Sequence, residues 1–286
     1  MALGERTGRP RSTLFETLLD PAATRDFADR IARDRPEAAE RSDLANIVWH
    51  GGFPALLDGN ENFVREWFEG YERTYLERDI MGLGVSDVIP FRRTIRLAAH
   101  QAGGLLNQSD LARGLALSSP TIARYLDHLE VAMLGRRLPA LAASQRKRIV
   151  RSPKFYLADS GLHCHVCGLR DPAGLPTAPG YGAALETWVL QQLEAVACRL
   201  SPAGQVSYWR TTDGYEVDFV LEQGDRLVGI EVKTQADPAG GILRGLSALR
   251  DEAGERFASG IVVHGGTTAR VLGERMFAVP AAWVGR

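Results

Sequence analysis

The stretch YEVDFVLEQGDRLVGIEVKT, residues 215–234, decides the fold. Apolar and polar residues alternate on both sides of a short polar break, which predicts β-strands over about 215–222 and 226–233. Between them, Gln223-Gly224-Asp225-Arg226 carries a Gly-Asp pair suited to a two-residue turn, so Gln223 faces Arg226 and paired residue numbers sum to 449. In that register Asp218 lies opposite Glu231, and Glu216 opposite Lys233. Alternation sends Tyr215, Val217, Phe219 and Leu221 to one face, and Glu216, Asp218 and Val220 to the other. Adjacent carboxylates on a sheet repel unless a cation or a proton resolves the clash. A divalent cation is the natural resolution; Mg²⁺ usually takes one or two carboxylates and keeps several waters, leaving room for a phosphate oxygen and an attacking water. Lys233 shares the face of Glu231 and would orient or help deprotonate that water. The plain alternative is a Glu216–Lys233 surface ion pair beside a solvated edge made by Asp218 and Glu231.

Outward from this hairpin, a helix over about 181–199 precedes a strand over about 206–212, and Glu186 on that helix offers a further carboxylate. After the hairpin come a helix near 241–257 and strands near 260–264 and 277–284. The order is αβββαβ. The Gly/Pro-rich run GLRDPAGLPTAPG, residues 168–180, marks the clearest boundary.

Upstream, FRRTIRLAAHQAG, NQSDLARGLALS and SPTIARYLDHLEVAML between residues 91 and 134 have a trihelical cadence. Asn107 or Ser109 would cap the second helix, and Ser118 or Ser119 before Pro120 the third. A short helix, a tight turn and a helix with polar residues near its start form a helix-turn-helix pattern, with LGRRLPAL as a wing. Thr121 and Arg124 are then the groove-facing candidates; the alternative is a generic three-helix bundle. Between Val131 and Ala158 there is no acidic residue but seven basic ones, Arg136, Arg137, Arg146, Lys147, Arg148, Arg151 and Lys154. That segregation is the electrostatic candidate for a phosphate-facing surface, against the alternative of a solvated basic loop. In NFVREWFEGYERTYLERDI, Phe63, Trp67, Tyr71, Tyr75 and Leu76 recur near helical spacing and are expected in the core. His163-Cys164-His165-Val166-Cys167 offers metal ligands but lacks the second pair that a structural zinc site needs. Residues 1–40, poor in large apolar side chains, are expected as surface helices with loops.

With 34 Lys+Arg against 35 Asp+Glu, the formal net charge of -1 excludes a basic protein that coats nucleic acid, so any such contact must be a local patch. No run approaches the ~20 apolar residues of a membrane span, and MALGERTGRPR has no apolar signal core. Three cysteines do not make a disulfide framework. The expectation is a cytoplasmic protein without a membrane partner.

Together, αβββαβ with Glu186, Asp218 and Glu231-Val232-Lys233 resembles the restriction-endonuclease-like PD-(D/E)xK fold. More closely, GAALETWV, YWRTTDGYEVDFVL and GIEVKT resemble the C-terminal domain of prokaryotic AAA-type ATPases carrying domain of unknown function 4143. GGFPALL, YERTYLERDI and SPKFYLADSGL fit the same family, and the resemblance covers roughly 45–286. It implies an α/β chain in three parts: 1–45 as the tail of an ATPase domain or a linker, 46–167 as a helical region with a winged helix-turn-helix, and 168–286 as a nuclease-like domain. It further implies Glu186, Asp218, Glu231 and Lys233 as catalytic residues, with Mg²⁺ on the three carboxylates. Nucleic acid, foremost DNA, would be the partner. Family members usually begin with a P-loop ATPase, whereas this chain has no G-x-x-x-x-G-K-[ST] run. No ATP site is therefore expected here: either the chain is a truncated form, or the ATPase is supplied by another chain. The competing expectation is a binding module for DNA or protein with a degenerate nuclease fold.

Overall fold

The computed structural model describes residues 14–33, 40–76, 81–82, 87–142, 152–237 and 241–284. Helices α1 (Leu14–Leu19), α2 (Pro21–Arg33), α3 (Glu40–His50), α4 (Glu61–Tyr71), α5 (Val88–His100), α6 (Gln108–Leu115) and α7 (Ser119–Val131) come first. Strands β1 (Gly135–Leu138) and β2 (Lys154–Leu157) follow, then α8 (Ser160–Val166) and α9 (Tyr181–Ala197). The remainder is β3 (Gln205–Arg210), β4 (Glu216–Gln223), β5 (Arg226–Lys233), α10 (Arg244–Ala253), β6 (Phe257–His264), β7 (Arg270–Gly273) and β8 (Met276–Pro280). The chain is thus α/β. Its contacts define two units: a sheet unit from Met1–Ile47, Pro139–Ile149 and Val189–Arg286, and a helical unit from Val48–Leu138 and Val150–Trp188. This partition differs from the three consecutive segments that the sequence suggests.

The sheet unit holds a mixed six-stranded sheet in the order β3-β4-β5-β6-β8-β7. The β3, β4 and β5 neighbours run antiparallel, β5, β6 and β8 parallel, and β7 antiparallel to β8. β6 lies inside the sheet and all eight of its residues are buried, which explains why FASGIVVH reads as a nearly continuous apolar run. Helix α10 connects the parallel pair β5 and β6 and packs on β4, β5 and β6. Its Leu246 and Leu249 join Trp209, Val217, Val220, Leu227 and Phe257 in one core cluster.

Helices α1 and α2 also pack on this sheet, α1 on β5 and β6, α2 on β6 and β7. Leu14, Phe15, Leu18, Leu19, Phe27 and Ile31 are buried. Phe27 meets Phe277 edge-on at 5.2 Å, and the Ser259 hydroxyl donates to the Leu18 carbonyl at 2.8 Å. The expectation of surface helices for residues 1–40 is corrected accordingly. Burying one such Leu or Phe contributes roughly 1.5–3 kcal/mol, so six large apolar residues suffice to fix two short helices. The short strand β7 was not foreseen, and the last strand ends at Pro280 in a 3₁₀ turn, Ala281–Trp283.

In the helical unit, the Asn107 carboxamide caps α6 by accepting from the backbone N–H of Ser109 and Asp110, and the Ser118 hydroxyl caps α7 by accepting from Thr121. Ala116, at φ 55°, closes α6 and lets the chain turn sharply. Helices α5 to α7 bury Phe91, Ile95, Leu111, Ile122, Leu126 and Leu129, and β1 pairs antiparallel with β2. The GGFP and ADSG segments lock together: Asp159 accepts from the Gly52 N–H at 2.6 Å and from the Leu162 N–H at 2.9 Å, capping α8. A Cβ at Gly161 would sit 2.6 Å from the His50 carbonyl oxygen, so only glycine permits that approach. Residues 168–180 are anchored in this unit. Leu175 is buried, and the Trp49 indole donates to the Leu169 carbonyl at 2.8 Å.

The core face of α4 is Val64 and Phe68, not the expected aromatic stripe. Phe63 is exposed, while Trp67 and Tyr71 are half-buried and stack on each other at 4.9 Å. Helical spacing places Phe63, Trp67 and Tyr71 on one flank, but that flank is satisfied by ring stacking and by Phe53.

His163 lies inside this unit, where burial, helped by the charge of His100, pushes its imidazole down to about 4. A histidine held neutral adds stability that is complete above pH 6.5 and is lost as pH falls toward 4. Glu72 sits below its ordinary range because His165 hydrogen-bonds its carboxylate and Arg92 and Arg96 add positive charge, so its contribution fades at still lower pH. Urea unfolding between pH 7 and 4.5 should therefore show stability falling, with a slope approaching about 1.4 kcal/mol per pH unit for one proton. His163→Gln should flatten that slope; equal slopes would show that His163 does not govern the acid limb.

Candidate active site

The hairpin register runs as expected from Gln223↔Arg226 to Phe219↔Ile230. It then changes character. Across the other neighbour, Ser207 pairs with Val220 but Trp209 with Val217, so β4 carries one extra residue at Asp218–Phe219. This bulge brings Val217 and Val220 into the same core cluster and corrects the strict alternation, which assigned them to opposite faces. It also redirects Asp218. Its Oδ2 accepts from the backbone N–H of Val232 at 2.8 Å, so the side chain binds the strand between Glu231 and Lys233.

Glu231 and Lys233 follow Gly229 at two-residue steps on β5. A Cβ on Gly229 would meet Leu246 and Leu249 of α10 at 2.8 and 3.0 Å, which identifies the face that these residues continue. The Lys233 ammonium donates to Glu231 Oε1 at 2.6 Å. Glu216 pairs along the sheet with Arg210, and their charged groups lie 3.5 Å apart. An open cavity of about 920 Å³ is lined by Glu216, Glu231 and Lys233 together with Asp213, Arg244 and Gly245. Its wall depends on Gly245, where a Cβ would fall 2.0 Å from the Glu216 carbonyl oxygen; the start of α10 rests on the β4 backbone. Arg244 and Gly245 were missed from the sequence because they lie beyond the strands that carry the alternation.

Glu186 belongs to the helical unit, where Tyr156 donates to its Oε2 at 2.9 Å. Gly103, at φ +85°, passes so close that a Cβ would sit 2.6 Å from the same oxygen. On β5 the Asp218 carboxylate thus meets the backbone at Val232, between the residues of the Glu231–Lys233 ion pair, while Tyr156 is one partner of Glu186. Among the described residues, no group of three or more His, Cys, Asp or Glu side chains is placed to hold an ion. The donor set of Asp218 and Glu231, two hard carboxylates, suits a Mg²⁺ that keeps most of its waters. It does not suit an all-protein cage. At the His/Cys run, Cys167 Sγ lies 3.7 Å from His163 Nε2, and burial pushes the Cys167 thiol up to about 11. Cys164 is pushed up further, also by burial, so neither thiol is readily the thiolate that zinc requires.

The expected nucleic-acid residues divide. Arg124 and Arg136 are exposed, and Arg124 also lies over the Tyr125 ring at 5.8 Å. Thr121 is partly turned inward, its hydroxyl 2.8 Å from that of Ser118 in the α7 cap. Arg137 is held by α7, 2.7 Å from Asp127 and 2.5 Å from Glu130, so its charge is compensated internally. Arg146, Lys147 and Arg148 lie outside the described residues. Among the described residues no helix is long and apolar enough to cross a membrane.

Comparison with known proteins divides the chain in a similar way. Residues 41–173 match the model of a domain of unknown function, DUF8612, and residues 181–284 match that of a second, DUF4143. Uncharacterised proteins of Mycobacterium tuberculosis and Mycobacterium bovis are each 36% identical over 244 residues, covering 84% of this chain and 53% of theirs. An uncharacterised protein of Haemophilus influenzae is 25% identical over 189 residues, covering 64% of this chain and 44% of its own. The chain spans about half the length of the curated relatives it matches. No solved structure matches it. The Asp218, Glu231 and Lys233 grouping thus falls wholly within the DUF4143 match, and the α5–β2 region within the DUF8612 match.

Proposed function

We propose that this chain is a nucleic-acid-binding protein whose sheet unit carries a Mg²⁺-dependent, nuclease-like site. The observation that supports this best is the attachment of Asp218 to the Val232 N–H, which fixes one carboxylate between Glu231 and Lys233. A restriction-endonuclease-like reading of the sheet, and a winged helix-turn-helix reading of α5–α7 with β1 and β2, complete the proposal. An ATPase module is its proposed partner, as the resemblance to AAA-type ATPases implies.

Asp218 and Glu231 would hold the cation. When bound, it supplies a Lewis acid for a phosphoryl oxygen and lowers the pKa of water. The protein does the rest. Asp218, anchored by a backbone donor, keeps its orientation without help from solvent. Lys233, drawn to Glu231, places an ammonium beside the reacting phosphate, where it stabilises developing negative charge and moves a proton to or from water. A second reading, a binding module that cuts nothing, is favoured by the lack of a three-ligand group among the described residues.

Cleavage of labelled single-stranded, duplex and branched DNA, and of RNA, tests the chemistry. Mg²⁺ or Mn²⁺ should support slow cleavage, and Ca²⁺ binding only. Lys233→Ala should lower turnover by about 10²–10⁴-fold while leaving metal affinity nearly intact, and Asp218→Ala should abolish both. Absence of metal-dependent product from every substrate would support the binding module.

The surface basic residues are tested by salt dependence. Arg124→Ala with Arg136→Ala should reduce the slope of log K against log salt by roughly 2, whereas Arg137→Ala should leave it unchanged and cost about 1 kcal/mol of stability. A slope that responds only to Arg137 would move the interface off the exposed residues.

A further inference from the structure

Beside the carboxylate-lysine cavity lies a second one of about 720 Å³, and the two share Tyr215, Gly241, Ile242 and Arg244. Their linings differ. The second is floored by Ile242, Leu243, Ala248 and Leu272, partly buried side chains packed against the core cluster. Tyr215 stands between the two regions with 44% of its surface exposed. Among the described residues its ring has no aromatic or hydrogen-bonded partner. Its backbone, by contrast, is fixed. The Tyr215 N–H donates to Thr211 Oγ1 at 3.1 Å and its carbonyl accepts from the Thr211 N–H at 2.9 Å, across a turn that Gly214 completes at φ +90°. An aromatic side chain on a rigid turn, left in solvent at a cavity rim, is a stacking platform with little ordering entropy left to lose.

The charges narrow the choice of ligand. Glu216 lies with Arg210, Glu231 with Lys233 and Asp237 with Arg270, so the rim is close to neutral. Arg244, on the wall common to both cavities, has no ion pair among the described residues. Such a surface does not offer the dense positive field that a duplex backbone needs. It offers one aromatic face, one apolar floor and one guanidinium outside any ion pair among the described residues, with the Asp213 carboxylate lining the same cavity.

We propose that this double cavity is a subsite for an unpaired nucleotide, the base stacking on Tyr215 over the apolar floor and its phosphate meeting Arg244. The assignment rests on the nuclease-like reading for its direction, because it seats the neighbouring phosphate beside Lys233. It makes the substrate class single-stranded or locally unpaired nucleic acid.

Fluorescence anisotropy of the full chain with a labelled oligothymidylate and with a blunt duplex of equal length tests it, in calcium buffer and again in EDTA. Wild-type protein should bind the single strand more tightly than the duplex. Tyr215→Ala should weaken single-strand binding about 5- to 150-fold, the range expected for losing one base stack, and change duplex binding little. Tyr215→Phe should restore it, and Arg244→Gln should lower the salt slope by roughly 1. Thermal melts of each variant establish that it is folded. Equal single-strand affinity in wild type and Tyr215→Ala, equal losses on both substrates, or no binding of either oligonucleotide would overturn the proposal. Tyr215-dependent single-strand binding without cleavage in Mg²⁺ would uphold the subsite and reject the nuclease reading alone.

Discussion

One extra residue in β4 governs the candidate site. A regular strand would have sent Asp218 straight out of the sheet opposite Glu231, two like charges at close range. The bulge instead hands the Asp218 carboxylate to the Val232 N–H, so a backbone donor that would otherwise serve the ladder holds a candidate site side chain. The same extra residue keeps Val217 and Val220 together under α10. Core packing and site geometry therefore share one irregularity. The bulge cannot be straightened without moving either Val217 out of the core or Asp218 off Val232.

The close approach of α10 adds a second constraint. Gly245 lets the helix start rest on the Glu216 carbonyl, and Gly229 lets Leu246 and Leu249 settle over β5. Larger side chains at either position would lift α10 and open the floor that Ile242 and Leu243 form. In the helical unit the corresponding fixture is Asp159, a buried carboxylate joining the GGFP segment to the α8 cap. The quoted motif SPKFYLADSGL thus includes residues that hold the unit together, which is a sufficient reason for its sequence.

Much of this was legible in the sequence, and the failures have physical causes. Period-two alternation and a Gly-Asp turn located β4, β5 and their register, because both signals are local. The bulge was not legible, since its cause lies in the pairing with β3 and in the demand of α10 for Val217. Helices α1 and α2 were misread because their few apolar residues matter only against a sheet assembled much later in the chain. Glu186 stands on the helix that precedes the strands, where the Tyr156 hydroxyl donates to its carboxylate and Gly103 passes close by. Arg137 belongs to a basic run in the sequence, and in the fold Asp127 and Glu130 pair with it. Charge segregation along a sequence does not report compensation across a turn of structure.

The central claim is that Asp218 binds a divalent cation and does not merely secure a bulge. Titration calorimetry with Mn²⁺ on the wild-type chain and on Asp218→Asn separates the two roles, because an amide oxygen still accepts from Val232 but carries no charge. One saturable site per wild-type chain, lost in Asp218→Asn with an unchanged melting temperature, is the expected result. No saturable binding to the wild type, or equal binding to both proteins, would contradict the claim.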